Sequence, residues 1–550
     1  MVLRFLLIVF LLGNDSAIFA QTSHFPDLIL TNGIIYTDTS TPEKRSNKLD
    51  QALSIRDGLI LSIGNSKEIE AFKGPQTMVV DLRGKFVHAG FIDASNRFIE
   101  GGLSLNRLNV SEVRTIDGLK LKIKSYVLNN PMKRWILGYN WDLNLMDAVN
   151  YPTKSDLDSI ISDRPVMVIS RTKSMIILNS RAIEALKAEK PEANGQYTDL
   201  KASEYISKVD RPNQEDIRQA VLNFQMEASK YGITSIHGEL PADLLEDSIR
   251  ALDDLYKTKQ LKVRVALFGS LNELDKFQTL KEKYKALPDE WIEIFGLKAK
   301  VDGEIEDHSA VLYEPYSDKP DLKVEPLLAQ EKLNDLVVRA NHSGFSVSLQ
   351  TNGDRAAGIA LTAISNAKKK LFNDRFRNRL ERIEILAPTM FPRFRELRTA
   401  VSTHPTELIF ENTEQNYVPK FLGKTRLKST YPYRSLLKAQ AHLIFGSNWP
   451  ARFLNPLQGI QAAVLRKCFN PKFQCGWSLD ETINIDQALT AYSFEGAFAT
   501  HEDHVKGSIK EGKFADLVVL ERNPLKEKPE DLSIIPVSLT IVSGQIIYQR

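Results

Sequence analysis

The nine histidines are the residues of this chain best suited to hold a metal ion or to move protons near neutral pH. They are spread over most of the sequence, at His24, His88, His237, His308, His342, His404, His442, His501 and His504. Two of them end strand-like runs, His237 in ITSIHGEL and His404 in STHPTE, and each is a candidate ligand contact or general base. The commoner alternative is a hydrogen-bonded structural histidine. A metal site made from His237, Glu384 and His404 would need three separate strands to converge, which the spacing does not require.

Composition excludes several classes of protein. The chain has 550 residues, of which 43% are hydrophobic and 26% charged, so it is neither disordered nor of low complexity. Its net charge is only +3, and no basic stripe indicates a nucleic-acid partner. The two cysteines, Cys468 and Cys475, are too few for a cysteine-rich zinc module; they form either a local disulfide or two free thiols.

The first twenty residues have the pattern of a secretory signal peptide. Arg4 supplies a positive charge, residues 5–12 form an apolar run that is too short to span a bilayer, and cleavage is predicted after Ala20. The alternative is an uncleaved anchor. We therefore expect a secreted, periplasmic or secretory-pathway lumenal protein, with no membrane span once residues 1–20 are removed.

Both ends of the mature chain contain short β-type runs, such as DLILTNGIIYT near the start and SLTIVSGQIIYQR at the end. Hairpin turns are predicted at Asn32-Gly33, Asp57-Gly58 and Ser543-Gly544. Neither end has enough strands to bury a core alone. Residues 21–87 and 505–550 are therefore predicted to form one small β-sandwich domain.

The middle of the chain, residues 88–504, alternates strand-like runs with amphipathic helical segments. PVMVISR, KVRVALFG, FSVSLQT and HLIFGS are examples of the strands, and QEDIRQAVLNFQMEASKYG is one of the helices. This α/β alternation predicts a (β/α)₈ TIM barrel, with an insert near residues 103–215. Functional side chains in such a barrel lie at the carboxyl ends of the strands.

Several segments, in order along nearly the whole mature chain, carry a resemblance to one superfamily. They are KFVHAGFIDASNRF, WILGYNWD, GLKAKVDGEIEDHSAVLYEPYSD, NGDRAAGIAL, RLERIEILAP, LIFGSNWP and KEGKFADLVVLERNPL. The chain resembles the metal-dependent amidohydrolases, in the branch of the N-substituted formamide deformylases (amidohydrolase 3 domain). The resemblance implies a barrel inside a β-domain, zinc in active members, and hydrolysis of carbon–nitrogen bonds by a metal-bound hydroxide.

The first metal-binding motif of that family is not kept. Family members begin the barrel with Asp-x-His-x-His, in which strand alternation brings both imidazoles to one face. This chain has Ser95 and Arg97 at the two histidine positions. A serine hydroxyl is a poor zinc ligand, and a guanidinium is always protonated and cannot coordinate.

The later ligand positions are altered as well. By the resemblance, the two further histidines fall on Gln350 and Ile385, and the aspartate of the last strand falls on Asn448. Asparagine keeps the shape of aspartate but has no basic oxygen that could take a proton from water. Only the lysine remains, as Lys298, and a carbamate on it has little to stabilise it without metal ions. We therefore predict a degenerate barrel site with no metal and no cofactor.

Arg97 is the most informative of these replacements. It could supply a cation in place of a metal and, with Lys298, form a positive pocket for a carboxylate, sulfate or phosphate group. We favour the alternative, a buried ion pair with Asp93, Glu384 or Asp302, because a buried arginine normally needs a protein partner. The ligand-binding candidates are Arg97, Lys298, His404, His237 and Trp449, and for Trp449 core packing is an equal alternative.

The function favoured by these observations is that of a secreted protein of the amidohydrolase family that is not a metal-dependent hydrolase. It would bind a small ligand, which would be anionic if Arg97 and Lys298 are free, or a partner protein. The alternative is a hydrolase of non-peptide carbon–nitrogen bonds that acts on N-acyl or formamide substrates through an atypical site. The residues leave open whether the chain is an enzyme, and the resemblance implies a homodimer or a heterodimer.

Overall fold

The computed structural model describes residues 25–37, 50–143, 151–170, 174–191, 194–372, 375–409, 417–467 and 478–550. The predicted signal peptide and both cysteines lie outside these residues. Within them, no helix is both long and apolar enough to cross a bilayer.

The amino-terminal part is mostly strands. They are β1 (Leu28–Thr31), β2 (Ile34–Ile35), β3 (Ala52–Arg56), β4 (Leu59–Gly64), β5 (Met78–Asp81) and β6 (Phe86–Ala89), with helix α1 (Ser66–Glu70) after β4. Asp57 and Gly58 join β3 to β4 with φ of 51° and 78°, as a tight hairpin turn requires. The hairpin predicted at Asn32-Gly33 is wrong, because β1 and β2 belong to different sheets.

The first barrel strand, β7 (Phe91–Asn96), and helix α2 (Phe98–Leu105) precede an insert with its own sheet. The insert strands are β8 (Leu108–Asn109), β9 (Ile136–Trp141), β10 (Val166–Ser170), β11 (Met175–Leu178) and β12 (Gln196–Thr198). The insert helices are α3 (Ile116–Asn129), α4 (Lys154–Ile160), α5 (Ser180–Leu186) and α6 (Asp199–Val209). The sheet order is β12-β11-β10-β9-β8, and Trp141 is buried in its core.

The remaining barrel strands are parallel and are separated by helices. They are β13 (Ile233–Glu239), β14 (Arg264–Ser270), β15 (Ile292–Lys300), β16 (Ser346–Thr351), β17 (Arg379–Arg382), β18 (Ala400–Thr403) and β19 (Leu443–Phe445). The sheet runs from β7 through β13 to β19 in chain order. The backbone N–H of Asn448 donates to the carbonyl of Ser95 at 2.9 Å, and that of Arg97 donates to the carbonyl of Trp449 at 3.0 Å. These bonds close the barrel at its carboxyl end, so the predicted (β/α)₈ fold is confirmed.

The helices of the barrel region pack around it and across its amino end. They are α7 (Gln214–Ser229), α8 (Leu245–Lys257), α9 (Leu274–Lys283), α10 (Gln330–His342), α11 (Asp354–Leu371), α12 (Phe391–Leu397), α13 (Tyr417–Arg426), α14 (Tyr433–Lys438), α15 (Pro456–Leu465), α16 (Ile485–Ala491) and α17 (Phe494–Ala499). Short 3₁₀ helices lie at Leu271–Glu273, Pro388–Met390, Pro405–Ile409, Leu427–Ser429, Leu479–Glu481, Pro524–Lys526 and Pro529–Ile534.

The last strands, β20 (Leu517–Leu520), β21 (Val537–Val542) and β22 (Gln545–Gln549), return to the amino-terminal β-structure. The two sheets there have the orders β4-β3-β1-β5 and β2-β6-β20-β21-β22. Leu30 and Leu53 of the first sheet share one apolar cluster with Val87, Leu517 and Leu539 of the second. The sandwich is therefore built from both ends of the chain, as predicted.

Candidate functional site

The His237 side chain lies inside the barrel. Its Nδ1 lies 2.7 Å from Nη1 of Arg379, although three strands separate β13 from β17 in the sheet, so this contact crosses the barrel interior. A guanidinium can only donate, so Nδ1 accepts and the ring proton is on Nε2. Burial, reinforced by Arg379, lowers the pKa of His237 well below its usual range. His237 therefore has no lone pair left for a metal, while its Nε2–H is buried without a partner among the described residues.

Arg379 belongs to a chain of four charged side chains across β13, β15 and β17, which we call the inner ion-pair chain. Lys298 Nζ lies 3.0 Å from Glu239 and 2.7 Å from Glu381, and Glu381 lies 2.7 Å from Arg379. Burial alone would lower the pKa of Lys298, but the two carboxylates raise it above the usual value. Burial alone would raise the pKa of Glu381, but Lys298 and Arg379 hold it down at about 2.

Lys298 is therefore a fixed ammonium ion. Carboxylation of a lysine starts from the neutral amine, which this environment disfavours. Lys298 also does not contribute to the predicted positive pocket with Arg97, because two carboxylates already compensate the charge of Lys298.

A second set of charges, the outer ion-pair chain, consists of Glu304, Arg382, Glu407 and Arg452. Arg382 bonds to Glu304 and lies 3.4 Å from Glu407, which in turn lies 2.8 Å from Arg452. Arg382 and the following Ile383 have φ of 70° and 49°, in the left-handed region. This conformation is costly for a β-branched residue, and it turns the chain sharply at the end of β17.

The side chains at the family's ligand positions are tied to the outer ion-pair chain or to the core. Gln350 donates to Glu304 at 3.3 Å, and Asn448 donates to Glu407 at 3.4 Å. Both amides thus direct N–H groups, which cannot coordinate a metal, toward these carboxylates. Ile385 lies in an apolar cluster beside the loop that follows β15.

Arg97 does not have the buried partner that we favoured. It occupies the N-cap position of α2 without a side-chain capping bond, its side chain is 37% exposed, and its ion pair is with Glu100 at 3.3 Å. Asp93 is already bonded to Ser447, whose hydroxyl donates at 2.5 Å, and Asp302 accepts backbone N–H groups at 2.8 and 2.9 Å. Asp93 and Asp302 are thus occupied, and Arg97 pairs with Glu100 of its own helix instead.

Trp449 packs in the core against Phe224 and Gly101. Its ring lies 5.5 Å from that of Phe224, and a Cβ added to Gly101 would come within 1.8 Å of it. The close approach explains the glycine in α2 at this point. Trp449 is thus corrected from a ligand-binding candidate to a packing residue.

His404 and Glu384 differ from the other charged or titratable groups of the barrel mouth. Both are buried, at 3% and 5% exposure. Neither ring nitrogen of His404, and not the Oε2 of Glu384, has a hydrogen-bond partner among the residues that the structure describes. Burial, with Arg382 nearby, lowers the pKa of His404 to about 3, whereas burial raises that of Glu384 to about 8. Burial thus favours the uncharged form of both side chains.

A cavity of about 400 Å³ opens at the carboxyl ends of β13–β16. Its polar wall includes Glu239, Lys298 and Gln350, and its apolar wall includes Leu240 and Leu327. The cavity lies where barrels of this kind bind their ligands. Its wall includes two of the degenerate ligand positions, Lys298 and Gln350.

The residues present do not fit a zinc ion. Zinc in proteins is held by thiolates, neutral imidazoles and carboxylates, three or four to a site. In the described part of the chain, no group of three or more histidine, cysteine, aspartate or glutamate side chains is arranged to hold a metal. Four carboxylates near the mouth are instead paired with Lys298, Arg379, Arg382 and Arg452, namely those of Glu239, Glu304, Glu381 and Glu407.

A barrel set into a β-sandwich formed by both termini is the fold of metal-dependent hydrolases. A crystal structure of an uncharacterized metal-dependent hydrolase from Pyrococcus furiosus has a TM-score of 0.74 and 25% identity, covering 91% of this chain and all of that one (100%). A model described as the amidohydrolase family matches residues 78–548, and the chain belongs to this family.

Two relatives match over most of their length. The chain is 30% identical to the protein LONG AFTER FAR-RED 3 of Arabidopsis thaliana, covering 95% of this chain and 91% of that protein. It is 24% identical to the N-substituted formamide deformylase of Arthrobacter pascens, covering 94% of this chain and 98% of that protein. The predicted membership of the amidohydrolase superfamily is thus confirmed.

Sequence reasoning did not find the two ion-pair chains. Arg382, Glu304, Glu407, Glu239 and Glu381 were not among the candidates. One signal was available: RLERIE carries charged residues within a strand of the barrel, and charges buried in a barrel need partners.

Proposed function

We propose that this chain is a binding protein for a small molecule, at the mouth of its barrel, and that it has lost metal-dependent hydrolysis. The observation that carries the proposal is the position of Lys298 between Glu239 and Glu381, at 3.0 and 2.7 Å. The residue that bridges metals in two-metal relatives is here an ammonium ion held by protein carboxylates.

The chemistry of the other ligand positions supports the loss of hydrolysis. A metal-bound hydroxide needs ligands that hold the metal and a base that takes a proton from water. Arg97 and Ile385 cannot coordinate a metal, Ser95 is a poor ligand, and the amide of Gln350 donates to Glu304. Asn448 cannot act as the base, since its amide donates a hydrogen bond to a carboxylate.

The cavity of about 400 Å³ supports the binding role. Small-molecule sites combine an apolar wall with a few polar groups that orient the ligand. Leu240 and Leu327 provide the apolar wall of this cavity, and Glu239 and Gln350 provide its polar groups.

The test combines metal analysis, turnover and binding on the purified mature protein. We expect less than stoichiometric zinc and no hydrolysis of N-acyl and formamide substrates, with the Arthrobacter pascens deformylase as the positive control for turnover. A panel of amides, ureides and amino acids should contain compounds that raise the melting temperature. Stoichiometric zinc together with turnover would overturn the proposal and favour an atypical hydrolase.

A pair of matched variants tests the cavity. Ala242 is exposed and lines it, so Ala242→Trp should narrow the cavity and abolish the ligand-induced rise in melting temperature. Ala71→Trp makes the same change at an exposed alanine of the terminal sandwich and should leave the rise unchanged. An equal rise in both variants would contradict binding in this cavity.

We also propose that the protein is exported, because residues 1–20 have the pattern of a signal peptide. Expression with the native amino terminus, followed by amino-terminal sequencing, should give a chain that begins at Gln21. A chain that retains Met1 would contradict this.

A further inference from the structure

Two Asn-x-Ser triplets lie among the described residues, and they begin at Asn109 and Asn341. This spacing, with a residue other than proline in the middle, is the acceptor pattern for N-linked glycosylation in the secretory pathway. A third triplet, at Asn14, belongs to the predicted signal peptide. A triplet by itself is weak evidence because it often arises by chance, so the surroundings of each asparagine decide whether it can carry an oligosaccharide.

Asn109 is the exposed residue of strand β8. Leu108 before it and Val110 after it are buried, at 6% and 0% exposure, in the apolar core of the insert. Because successive side chains of a strand point to opposite faces, the Asn109 side chain points away from that core. β8 is also the edge strand of the insert sheet. An oligosaccharide on Asn109 would therefore extend into solvent and would displace no packed side chain.

The end of β8 presents the Asn109 amide in a defined turn. Oδ1 of Asn109 accepts a hydrogen bond from the backbone N–H of Ser111 at 3.0 Å, so the side chain closes an Asx turn. The same bond places Ser111, the third residue of the triplet, directly beside the amide. Nδ2 of Asn109, the atom that would receive the sugar, has no hydrogen-bond partner among the residues that the structure describes. The acceptor nitrogen is thus free to react on an exposed side chain.

Asn341 has the opposite surroundings, since it lies near the end of α10 and is 2% exposed. Its Nδ2 donates to the carbonyl of Phe345 at 2.8 Å and to Oδ1 of Asn378 at 3.1 Å. A carboxamide nitrogen has two hydrogens, so both are engaged. Nδ2 of Asn378 donates in return to Oδ1 of Asn341 at 3.1 Å. A glycosidic bond would replace one of these hydrogens and force a sugar into the core beside Phe345, so the folded protein has no room for it.

We propose that Asn109 carries an N-linked oligosaccharide on the exported chain, whereas Asn341 stays unmodified. The donor is a lipid-linked oligosaccharide diphosphate in the lumen of the secretory pathway. Nδ2 of Asn109 forms a bond to the anomeric carbon of the first sugar and loses one proton. The bond between that carbon and the diphosphate oxygen breaks, and the lipid diphosphate leaves with the electron pair. No atom is oxidised or reduced, so the step needs no further reactant.

This inference rests on the proposed export and is independent of the binding function. Asn109 is not among the residues that line the barrel cavity, so the oligosaccharide should leave the ligand-induced rise in melting temperature unchanged. Its presence would also mark the edge of the insert sheet at β8 as a surface that stays in solvent in the mature protein, because a bulky, hydrophilic group cannot be buried in an interface.

The test is peptide mapping of the chain, expressed with its native amino terminus in cultured mammalian cells and collected from the medium. Trypsin cuts after arginine and lysine, and it isolates the two triplets in peptides 108–114 and 340–355. Peptide N-glycosidase removes an N-linked oligosaccharide and leaves aspartate in place of the asparagine. We expect peptide 108–114 to appear only after this treatment, with Asn109 converted to aspartate, and peptide 340–355 to be unmodified. An unmodified peptide 108–114 in the untreated protein, or an oligosaccharide on peptide 340–355, would overturn the inference.

Variants of the third residue of each triplet test the assignment without changing either asparagine. Ser111→Ala removes the hydroxyl that the acceptor pattern requires, so the exported chain should lose the mobility shift that glycosidase treatment causes in electrophoresis. Ser111→Thr keeps a hydroxyl and should retain the shift. Ser343→Ala is the matched control, because it makes the same change in the buried triplet and should leave the shift as in the wild-type protein. A shift that persists in Ser111→Ala or disappears in Ser343→Ala would refute the assignment.

The proposed export and this inference fail in distinguishable ways. A chain that stays in the cells with Met1 in place and Asn109 unmodified would overturn both. A chain in the medium that begins at Gln21 but has no oligosaccharide on Asn109 would leave export standing and overturn this inference alone. Peptide mapping of the wild-type protein decides the question even if a variant is not secreted. Zinc and turnover, which would overturn the binding function, have no bearing on this site.

Discussion

Replacing Glu381 by glutamine removes the central negative charge of the inner ion-pair chain while keeping the side-chain shape. Glu381 is 2% exposed and lies 2.7 Å from both Lys298 and Arg379. In Glu381→Gln two buried cations lose their shared counter-ion. Lys298 keeps only the half-exposed Glu239, and Arg379 keeps neutral partners.

The expected loss follows from the pKa of Glu381. Burial opposes ionisation, but Lys298 and Arg379 bring the pKa from its usual 4.5 to about 2. At about 1.4 kcal/mol per unit, the ionised carboxylate stabilises the fold by about 3 kcal/mol. This value agrees with the general cost of breaking a buried ion pair by removing one partner, which is about 3–5 kcal/mol.

The pH dependence has a definite sign. Because the pKa is lower in the folded state, the stabilisation is complete above the unfolded-state value of 4.5 and disappears as pH falls toward 2. The difference between the wild-type protein and Glu381→Gln should therefore shrink by about 1 kcal/mol between pH 7 and pH 4. Glutamine does not ionise, so the variant lacks this pH-dependent contribution to the free energy of unfolding.

Urea denaturation followed by circular dichroism at both pH values measures these differences. Glu239→Gln is the control, since it removes the other carboxylate from the same lysine at a site whose side chain is 44% exposed. It should cost less than about 1 kcal/mol. Equal stability of Glu381→Gln and the wild-type protein at pH 7, or a difference that does not change with pH, would refute the reasoning.

Three further substitutions test other parts of the structure by thermal unfolding. Arg264→Leu leaves buried Asp516 without its cationic partner at 2.6 Å and should cost about 3–5 kcal/mol. An unchanged melting temperature would contradict this role of the pair. Gly101→Ala drives a methyl group into Trp449 and should cost about 1–3 kcal/mol, so an unchanged melting temperature would argue against this packing. Arg97→Ala should change stability by less than about 0.5 kcal/mol, because its ion pair is exposed; a large loss would indicate a buried partner.

Much of the fold could be predicted because it depends on local patterns. Strand and helix alternation indicated the barrel, and paired turn residues such as Asp57 and Gly58 indicated hairpins. The failure at Asn32-Gly33 has a physical reason. The turn is local, but the next strand, β2, pairs with β6 and leaves the sheet of β1.

At the site, the sequence predicted only which residues are unsuited to bind a metal. Ser95 and Ile385 are poor or impossible ligands in any fold. The partners of Lys298 could not be found from spacing, because Glu239 is 59 residues away and the contact depends on barrel closure. Likewise, the free energy of burying Arg97 depends on whether nearby carboxylates are already occupied, which only the structure shows.

The two ion-pair chains explain why one substitution back to a metal ligand should not restore a metal site. A histidine at Gln350 would add one imidazole, but Lys298 would stay protonated between two carboxylates that remain bonded to it. An aspartate at Asn448 would add a carboxylate beside Glu407, which is already shared by Arg382 and Arg452. Zinc needs several deprotonated ligands at once, and each of these changes leaves the competing cations in place. Any return to metal binding therefore requires the ion-pair partners and the ligand positions to change together.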